Sequence, residues 1–376
     1  MPTSTTPKLF QPIHVGAIEL GHRVVFAPAT RFRASASHVP LPHVGEYYEQ
    51  RASAGGLLIT EGTYPALSAA GLPNIPGIWS EEQISTWRKI TDRVHAKGGR
   101  IVMQLFGNGR AALPDNCVEE SIDYVSASDV ALPGRVSPRP LAIAELKEYA
   151  QLEATAASNA VFKAGFDGVE VHWANGYLLN QFLNDRSNTR TDEYGGPSVE
   201  NRARFPLEVV EAVVNAVGQE RVGVRVSPWG TFLDMYMEDP RPVHIYAVSQ
   251  LRNRFPNLAY LHAIEPRADG AETAKVVRAG ASNDFLREIW GEKPFITAGG
   301  WTRETALAVA EEKGGLVSFA RSFIANPDLP YRLLKNIELT VGDRAYYYAY
   351  GSVDPKGYTD YPFVKEVAAE VENKEI

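Results

Sequence analysis

The chain alternates between short apolar runs and longer stretches in which apolar residues recur with helical spacing. Eight of the short runs are rich in β-branched residues and predict buried strands. They are VVFAPA (24–29), LLITEG (57–62), RIVMQLF (100–106), GVEVHW (168–173), VGVRVSP (222–228), LAYLHA (258–263), PFITAGG (294–300) and GLVSFARSF (315–323). Helical patterns lie between most of these runs, so the chain repeats a strand-and-helix unit.

Two helical stretches carry clear start and stop signals. The first follows Ser80, has Gln83 at its third position as in a capping box, and ends at Gly98-Gly99. The second lies between Ser198 and Gly218 and contains Pro206, which predicts a kink or a division of the helix. Weaker helical patterns cover residues 43–53, 142–164, 242–254, 302–313 and 327–337.

Eight strand-and-helix units predict parallel strands with right-handed crossovers, which close into a (β/α)8 TIM barrel. We therefore expect one α/β domain over residues 1–376. The segment FQPIHVGAIELGHR (10–23) predicts a hairpin that caps the barrel floor ahead of the first strand. Two long insertions, 107–141 after the third strand and 264–282 after the sixth, are candidate lids.

Composition and charge narrow the functional classes. Of 376 residues, 44% are hydrophobic and 22% are charged, which is typical of a globular protein. The net charge is −7 and no basic stripe stands out, so nucleic acid is not an expected partner. The opening segment lacks an apolar signal core, and no uncharged stretch is long enough to span a bilayer. The single cysteine, Cys117, rules out an internal disulfide and is expected to be an incidental thiol in a loop. We expect a cytoplasmic protein, either a monomer or a homodimer.

Catalytic and binding groups of such a barrel lie where strands end and loops begin. The last two strands end at Gly299-Gly300 and at Arg321, which predicts a site for a phosphorylated ligand; a tight turn with a surface salt bridge is the alternative. Strand three supplies Gln104, which can both donate and accept hydrogen bonds. Strand five supplies Arg225, which either pairs with a carboxylate such as Glu170 or meets an anionic ligand.

Strand four ends in VHWANGY (171–177), which brings an imidazole, a carboxamide and a phenol close together. His172 and Asn175 could both donate to one oxygen, an arrangement that stabilises a developing enolate. Tyr177 is protonated at neutral pH and can act as a general acid. Each residue alone has a structural explanation, but the three together at a barrel rim favour catalysis on a carbonyl compound.

Several common catalytic signatures are missing. The eight histidines show neither HxH nor HExxH spacing, so the sequence signals no metal site. GxSxG is absent, and Gly107-Asn108-Gly109 lacks the third glycine of a dinucleotide fingerprint. A glycosidase needs two facing carboxylates, and Glu61 is one candidate, but strand seven ends in glycines.

With these features the chain resembles the old yellow enzyme family of FMN-dependent ene-reductases, and fungal members in particular, over nearly its whole length. The most specific match is GVEVHWANGYLLNQFLNDRSNTRTDEYGG at 168–196. Other matching stretches are APATRFR (27–33), LLITEGT (57–63), PGIWSEEQ (76–83), ENRARF (200–205), VGVRVSPWG (222–230), SNDF (282–285), RSFIANPDLP (321–330) and GYTDYP (357–362).

The resemblance implies a non-covalently bound FMN across the barrel mouth. The residues implied to bind it are Pro28, Ala29, Thr30, Gly62, Gln104 and Arg225 around the flavin ring, and Gly299, Gly300, Ala320 and Arg321 around the phosphate. His172 and Asn175 would bind the carbonyl oxygen of the substrate, and Tyr177 would deliver a proton. Phe106 and Tyr358 would line the substrate space.

The reaction implied by the resemblance is a ping-pong reduction of the C=C bond of enones and enals. NADPH passes a hydride to flavin N5 and leaves; N5 then gives it to Cβ while Tyr177 protonates Cα. The nicotinamide would use the substrate's own site, which explains the missing dinucleotide motif. The alternatives are a redox-neutral isomerisation or cyclisation on the same scaffold, and a non-catalytic flavin- or phosphate-binding barrel.

Several positions depart from the family pattern. Gly300 stands where many members have Asn, and Ala320 stands where Gly is usual, which weakens phosphate binding only if the turn needs φ > 0 at Ala320. Phe106 replaces a common Trp and is expected to reshape the pocket. The segment 264–282 does not match, so the sequence assigns no ligand there, and His262 is expected to be structural.

Overall fold

The computed structural model describes residues 6–367 with the exception of 271 and 275; the two ends that the single-domain prediction included lie outside this range. Eight parallel strands form a closed barrel. They are β1 Val24–Phe26, β2 Leu57–Ile59, β3 Arg100–Leu105, β4 Gly168–Trp173, β5 Val222–Val226, β6 Tyr260–Ile264, β7 Phe295–Ala298 and β8 Leu316–Phe319. Each strand pairs with the next along the chain, and Val317 of β8 faces Val24 of β1 to close the ring. The predicted TIM barrel is confirmed.

A helix follows each barrel strand and covers the outside of the barrel. These helices are α1 Val44–Arg51, α2 Glu81–Ala96, α3 Ile143–Ser158, α4 Val199–Val217, α5 Arg241–Arg254, α6 Asp284–Trp290, α7 Arg303–Lys313 and α8 Leu329–Lys335. Shorter helical pieces are Pro114–Glu119, Leu178–Leu183, Arg321–Ala325, the π-turn Asn159–Lys163 and the 3-10 turns Lys8–Phe10, Leu67–Ala69, Gly109–Ala111, Gln219–Arg221 and Arg344–Tyr346. Cys117 thus lies in a short helix rather than a loop, and it is buried.

The helix signals read from the sequence hold at α2 and fail in part at α4. The Ser80 hydroxyl accepts from the Gln83 amide at 3.2 Å, and the Gln83 side chain accepts from the Ser80 amide at 3.1 Å, which completes the capping box. Pro206 does not divide α4, which is continuous over 19 residues. Pro206 is itself buried, and the apolar face that follows it packs into the core, so tertiary burial outweighs one missing backbone bond.

A hairpin closes the floor of the barrel, as the sequence predicted. Its strands, Ile13–Val15 and Ile18–Leu20, pair antiparallel and turn at Gly16, whose φ of 58° suits glycine. The buried side chains of this hairpin pack against residues that point into the barrel. This floor cluster consists of Val15, Ile18, Leu20, Val25, Leu57, Ile59, Val102, Ala259, Tyr260, Ile296 and Leu316.

Two insertions and a C-terminal segment surround the opposite end of the barrel. The insertion 107–141 contains the short parallel pair Val125–Ser126 and Arg139–Pro140, and the one after β6 contains the hairpin Ala268–Asp269 and Glu272–Thr273. Buried Arg31 anchors the C-terminal segment by donating to the carbonyl oxygens of Tyr347 at 2.9 Å and Gly357 at 2.7 Å. None of the helices in the described part of the chain is long and apolar enough to cross a membrane.

Candidate active site

A cavity of about 560 Å³ opens at the carboxyl ends of the barrel strands, where the fold places functional groups. All the sequence-predicted site residues except Tyr358 line it. They are Pro28, Ala29, Thr30, Gly62, Gln104, Phe106, His172, Asn175, Tyr177, Arg225, Gly299, Gly300, Ala320 and Arg321. The residues that the sequence placed at strand ends therefore share one cavity.

The end of β4 brings the His172 imidazole to this cavity, and the tight turn after it brings the Asn175 carboxamide and the Tyr177 phenol. Asn175 and Gly176 both have positive φ, 58° and 75°, which Asn and Gly tolerate best. A Cβ at Gly176 would lie 2.8 Å from the Leu233 side chain, so a larger residue does not fit. The Asn175 amide donates to the Ser227 hydroxyl at 2.8 Å, which fixes the turn. The Asn-Gly pair is thus a structural requirement for placing the flanking His172 and Tyr177.

Two of the three side chains, His172 and Tyr177, lie around the ring of Phe106. The His172 and Tyr177 ring centroids are 5.5 Å apart, and Phe106 meets Tyr177 edge to face at 4.9 Å. Phe106 packs directly on Gly62, where a Cβ would come within 2.6 Å of the ring. Gly62 is therefore needed for close packing, and Phe106 shapes the space beside the catalytic candidates.

A buried hydrogen-bond network supports the cavity wall from below. Glu170 accepts from the Gln104 side-chain amide at 2.7 Å and pairs with His262 Nδ1 at 2.8 Å. His262 also contacts the Ser318 hydroxyl at 3.1 Å, is fully buried and does not line the cavity. The Gln104 amide donates further toward His172 Nδ1 at 3.5 Å, which leaves the Gln104 carbonyl oxygen to accept from a ligand.

The environment sets the protonation states of the two titratable catalytic candidates. Burial, assisted by the positive charge of Arg225, lowers the pKa of His172 to about 3, so the imidazole is neutral at pH 7. The Gln104 amide, 3.5 Å from Nδ1, favours the tautomer with its hydrogen on Nε2, which can donate to a substrate. Burial, together with the nearby Tyr348, raises the pKa of Tyr177 to about 12, so the phenol keeps its proton.

Arg225 lines the cavity as a buried cation. Its Nε atom is buried and has no hydrogen-bond partner among the described residues. Glu170 attracts it electrostatically but forms its own hydrogen bonds with Gln104 and His262, and no ion pair joins it to Arg225 within the described chain. Because a buried guanidinium without a partner is costly, this arrangement favours the anionic-ligand interpretation over the structural pair.

The opposite wall is built from backbone rather than from side chains. Gly299 and Gly300 have φ values of 124° and 61°, so their amides turn in a way that L side chains rarely allow. Ala320 has φ of −98° and ψ of −79°, so the turn does not need the positive φ that would favour glycine at this position. Arg321 begins the short helix Arg321–Ala325 and is exposed, with its guanidinium donating to the Thr273 hydroxyl at 3.2 Å.

Tyr358 lies elsewhere than the sequence suggested. It is fully buried, stacks on Tyr47 with centroids 4.1 Å apart, and receives the Arg31 guanidinium over its ring at 4.9 Å. Tyr347, Tyr348 and Tyr350 line the cavity instead. The course of the segment is decided by the distant Arg31, which a local motif match does not reveal.

Sequence reasoning also missed much of the outer rim. The additional cavity-lining residues include Phe32, Leu72, Ile75, Arg135, Phe232, Leu233, Glu272 and Trp301. Phe32 has φ of 56° and stacks on Tyr350 at 4.2 Å, while its carbonyl accepts from the Gly351 amide at 2.8 Å. The unusual aromatic run AYYYAYG at 345–351 was the available signal for this wall.

Comparison with known proteins agrees with this geometry. A family model described as the NADH:flavin oxidoreductase / NADH oxidase family matches residues 8–340. Among solved structures, the old yellow enzyme from Pichia sp. AKU4542 superposes with a TM-score of 0.87 at 35% identity, covering 96% of this chain and 94% of that one. The chain belongs to this family of flavin oxidoreductases, the old yellow enzymes.

Fungal relatives cover almost the whole chain. A chanoclavine-I aldehyde reductase of Penicillium roqueforti is 47% identical over 97% of this chain and 99% of its own length. An NADP-dependent oxidoreductase of Aspergillus flavus is 44% identical over 95% and 96% of the two chains. A protein of Claviceps fusiformis, named as a probable inactive dehydrogenase, is 42% identical over 96% of each. The relatives thus bear out the expected fungal character, but their names differ in the activity they describe.

Proposed function

We propose that this flavin oxidoreductase uses NADPH to reduce the C=C bond of α,β-unsaturated carbonyl compounds, enones and enals. One observation carries the proposal: two hydrogen-bond donors and a protonated phenol line the cavity from the end of β4 and the turn that follows it. A reaction that forms an enolate needs donors for its oxygen and an acid for its carbon. His172 with Asn175 and Tyr177 supply these two functions.

The residues of the cavity fit a non-covalently bound FMN. The unpaired buried Nε of Arg225 suits the side of a flavin ring where negative charge gathers, and the Gln104 carbonyl suits an N–H donor of the ring. Gly299 and Gly300 present backbone near a phosphate, with Arg321 beside them. The cavity volume of about 560 Å³ also lies within the usual range for cofactor and ligand sites.

The chemistry that FMN supplies when bound is hydride transfer from a reduced nicotinamide to the β-carbon of the substrate. The protein supplies the rest. The neutral His172 donates through Nε2 to the carbonyl oxygen, and the carboxamide of Asn175 adds a second donor at the same oxygen. Both hydrogen bonds become stronger as negative charge develops on that oxygen. They therefore lower the activation free energy of hydride transfer rather than merely bind the substrate.

Tyr177 completes the reduction by protonating the α-carbon. Because burial raises its pKa to about 12, the phenol remains protonated throughout the physiological range. An enolate carbon is a far stronger base than a phenolate, so this acid is strong enough for its task. The ring also faces Phe106, which holds it in one orientation.

NADPH is proposed as the reductant. The name of the Aspergillus flavus relative, an NADP-dependent oxidoreductase, favours NADPH, whereas the family description names NADH. Initial rates of flavin bleaching with each nicotinamide decide between them. A larger kcat/KM with NADH would overturn this part of the proposal and leave the carbonyl chemistry intact.

The visible absorption spectrum of the purified protein tests the whole proposal. Under anaerobic conditions, flavin bands are expected to bleach with NADPH and to return when cyclohexenone is added, with cyclohexanone as the product. A protein that binds FMN but converts an enal without consuming NADPH would replace the proposal with a redox-neutral reaction. A protein that FMN cannot reconstitute would contradict the cofactor assignment.

A further inference from the structure

Arg267, in the insertion after β6, lies against the two glycines of the phosphate-binding turn. Its Nε donates to the Gly299 carbonyl oxygen at 2.6 Å, and its guanidinium carbon lies 3.9 Å from the centroid of the Trp301 ring. The two contact partners, Gly299 and Trp301, are the neighbours of Gly300 in the sequence, so the guanidinium is fixed beside that glycine. The sequence assigns no ligand to this insertion, and it does not reveal that Arg267 contacts the turn.

The guanidinium of Arg267 keeps one unsatisfied donor next to residues that line the cavity, although Arg267 itself is not one of the lining residues. Its Nη2 atom is buried and has no hydrogen-bond partner among the described residues, and the Nε1 atom of Trp301 is in the same condition. Ala268, Gly299, Gly300 and Trp301, which surround the guanidinium in sequence or in space, all line the cavity. Buried donors of this kind are rare unless a ligand completes them.

Neighbouring carboxylates do not account for the Arg267 charge. Glu265 is the acidic group that attracts Arg267 most, yet no ion pair joins the two side chains in the described chain. The Glu265 carboxylate is instead hydrogen-bonded by the Thr297 hydroxyl. Burial lowers the pKa of Arg267 without removing its charge, so the side chain brings a positive charge to the turn.

The absence of a side chain at Gly300 makes room for this arrangement. A Cβ at position 300 would lie 3.4 Å from Arg267 Nε and 3.6 Å from its Cδ, which already is full van der Waals contact. A longer side chain at 300 would therefore compete with the guanidinium for the space beside the turn. Gly300, which departs from the Asn of many family members, leaves that space to Arg267.

We propose that Arg267 is an additional ligand of the FMN phosphate, placed there by Gly299 and Trp301 and admitted by Gly300. The proposal rests on the flavin assignment above. A planar guanidinium fixed through Nε can direct its Nη atoms at phosphate oxygens, and Arg321, which lines the cavity, provides a second cation. The site would thereby tolerate the loss of a side-chain amide at position 300.

Affinity for FMN, measured beside affinity for riboflavin, tests this role. Riboflavin has the same ring but no phosphate, so a phosphate ligand affects FMN alone. In Arg267→Met the Kd for FMN, followed by quenching of flavin fluorescence on titration of apoprotein, is expected to rise about 10- to 100-fold, because a hydrogen bond between charged groups is lost. The Kd for riboflavin is expected to remain as in wild type.

Arg287→Met is the matched control. Arg287 also stacks on an aromatic ring, at 4.1 Å from Phe295, but Phe295 lies at the end of β7 opposite the Gly299-Gly300 turn. It is expected to leave both affinities unchanged. Arg267→Lys keeps the charge and the stem, so it should lose less FMN affinity than the Met variant, and it serves as the test variant if the Met variant does not fold.

The outcomes separate this inference from the flavin assignment. A wild-type apoprotein that binds neither flavin would sink the proposed function itself. Equal losses of FMN and riboflavin in Arg267→Met would show that the residue shapes the ring site rather than the phosphate site. Unchanged FMN affinity in both Arg267 variants, with wild type binding FMN tightly, would overturn the inference alone. Added salt should weaken FMN binding less in Arg267→Met than in wild type, because one charge contact is missing.

Discussion

Two walls of the same cavity are built on different principles. The catalytic wall, formed by Gln104, His172, Asn175 and Tyr177, presents side chains that are fixed by buried hydrogen bonds and ring packing. The phosphate wall, formed by Gly299, Gly300, Ala320 and Arg321, relies on backbone turns and on a long cationic side chain, with Arg267 proposed as a further cation beside it. The function of the first wall depends on which side chains are present. The function of the second depends mainly on backbone φ angles and on the length of the cationic side chains.

This difference predicts two kinds of functional failure. Substitutions in the catalytic wall should leave the flavin bound and slow the chemistry, because they remove groups that touch the reacting atoms. Substitutions in the phosphate wall should release the flavin, while each flavin that stays bound still turns over at the normal rate. A substitution in one wall that both released the flavin and slowed the chemistry would show that the two walls are not independent.

The largest effect is expected from Tyr177→Phe in the catalytic wall. The substitution removes the acid but keeps the ring that packs on Phe106, so the loss should be specific to proton delivery. We expect reoxidation of the reduced flavin by cyclohexenone to slow by about 10²- to 10⁴-fold, the usual contribution of a general acid. Stopped-flow absorbance measures this step, and bleaching by NADPH is expected to keep its rate.

Tyr236→Phe provides the control for that experiment. Tyr236 is an exposed tyrosine that does not line the cavity, so removal of its hydroxyl should change neither half-reaction. If Tyr177→Phe reduced cyclohexenone as fast as this control, Tyr177 would not be the proton donor, and water or another group would have to fill the role.

The second effect concerns one of the two donors of the same wall. In the variant His172→Ala, one of the two hydrogen bonds to the carbonyl oxygen is lost while the Asn175-Gly176 turn, with its positive φ angles, is kept. We expect kcat/KM for cyclohexenone to fall by about 10²- to 10³-fold, as for the loss of an oxyanion donor. Binding of a phenol, whose oxygen mimics the enolate, should weaken in parallel and can be followed by its effect on the flavin spectrum. Retained phenol affinity would contradict the role of His172 as part of a carbonyl clamp.

The third effect breaks the phosphate wall at its backbone. Gly299 has φ of 124°, and a Cβ there would lie 2.9 Å from the Ala268 side chain, so Gly299→Ala is strained in both respects. We expect FMN affinity to fall by about tenfold or more, since a strain of one to three kcal/mol corresponds to that range. The ratio of flavin to protein after dilution measures the loss. A normal flavin-to-protein ratio combined with a low kcat would show that Gly299 affects the reaction rate rather than flavin binding. It would then contradict the division of roles between the two walls.

The sequence predicts the grouping of the catalytic wall more directly than that of the phosphate wall, and the reason is physical. His172, Asn175 and Tyr177 are close in the chain, so a local motif contains nearly all of their geometry. The eight apolar runs likewise predicted the barrel, although the strands end earlier than the runs, because the last residues of several runs leave the sheet to line the cavity.

Several of the failures depend on packing between segments that are distant in the sequence. Tyr358 was misplaced because Arg31, more than 300 residues away, determines where the C-terminal segment lies. Pro206 was expected to kink or divide a helix, but burial of α4 in the core keeps the helix continuous across it. Arg267 was not assigned because its contacts with Gly299 and Trp301 bridge separate strands. Whether the chain forms one domain over residues 1–376, and whether it is a monomer or a homodimer, stay predictions.

The smallest effect, and the sharpest check on the phosphate wall, is expected from Ala320→Gly. This change restores the glycine that is usual in the family, and it would strengthen FMN binding if Ala320 strained the turn. Because Ala320 has φ of −98°, we expect no gain in FMN affinity, and the added chain freedom should lower the free energy of unfolding by about 0.5–1 kcal/mol. Fluorescence titration with FMN and thermal unfolding of the apoprotein measure the two quantities. A clear gain in FMN affinity would mean that this part of the wall carries strain that the φ angle does not show. An unchanged affinity would mean that the wall depends on positive φ at Gly299 and Gly300 alone, and that the amide of Ala320 serves the phosphate as well as that of glycine.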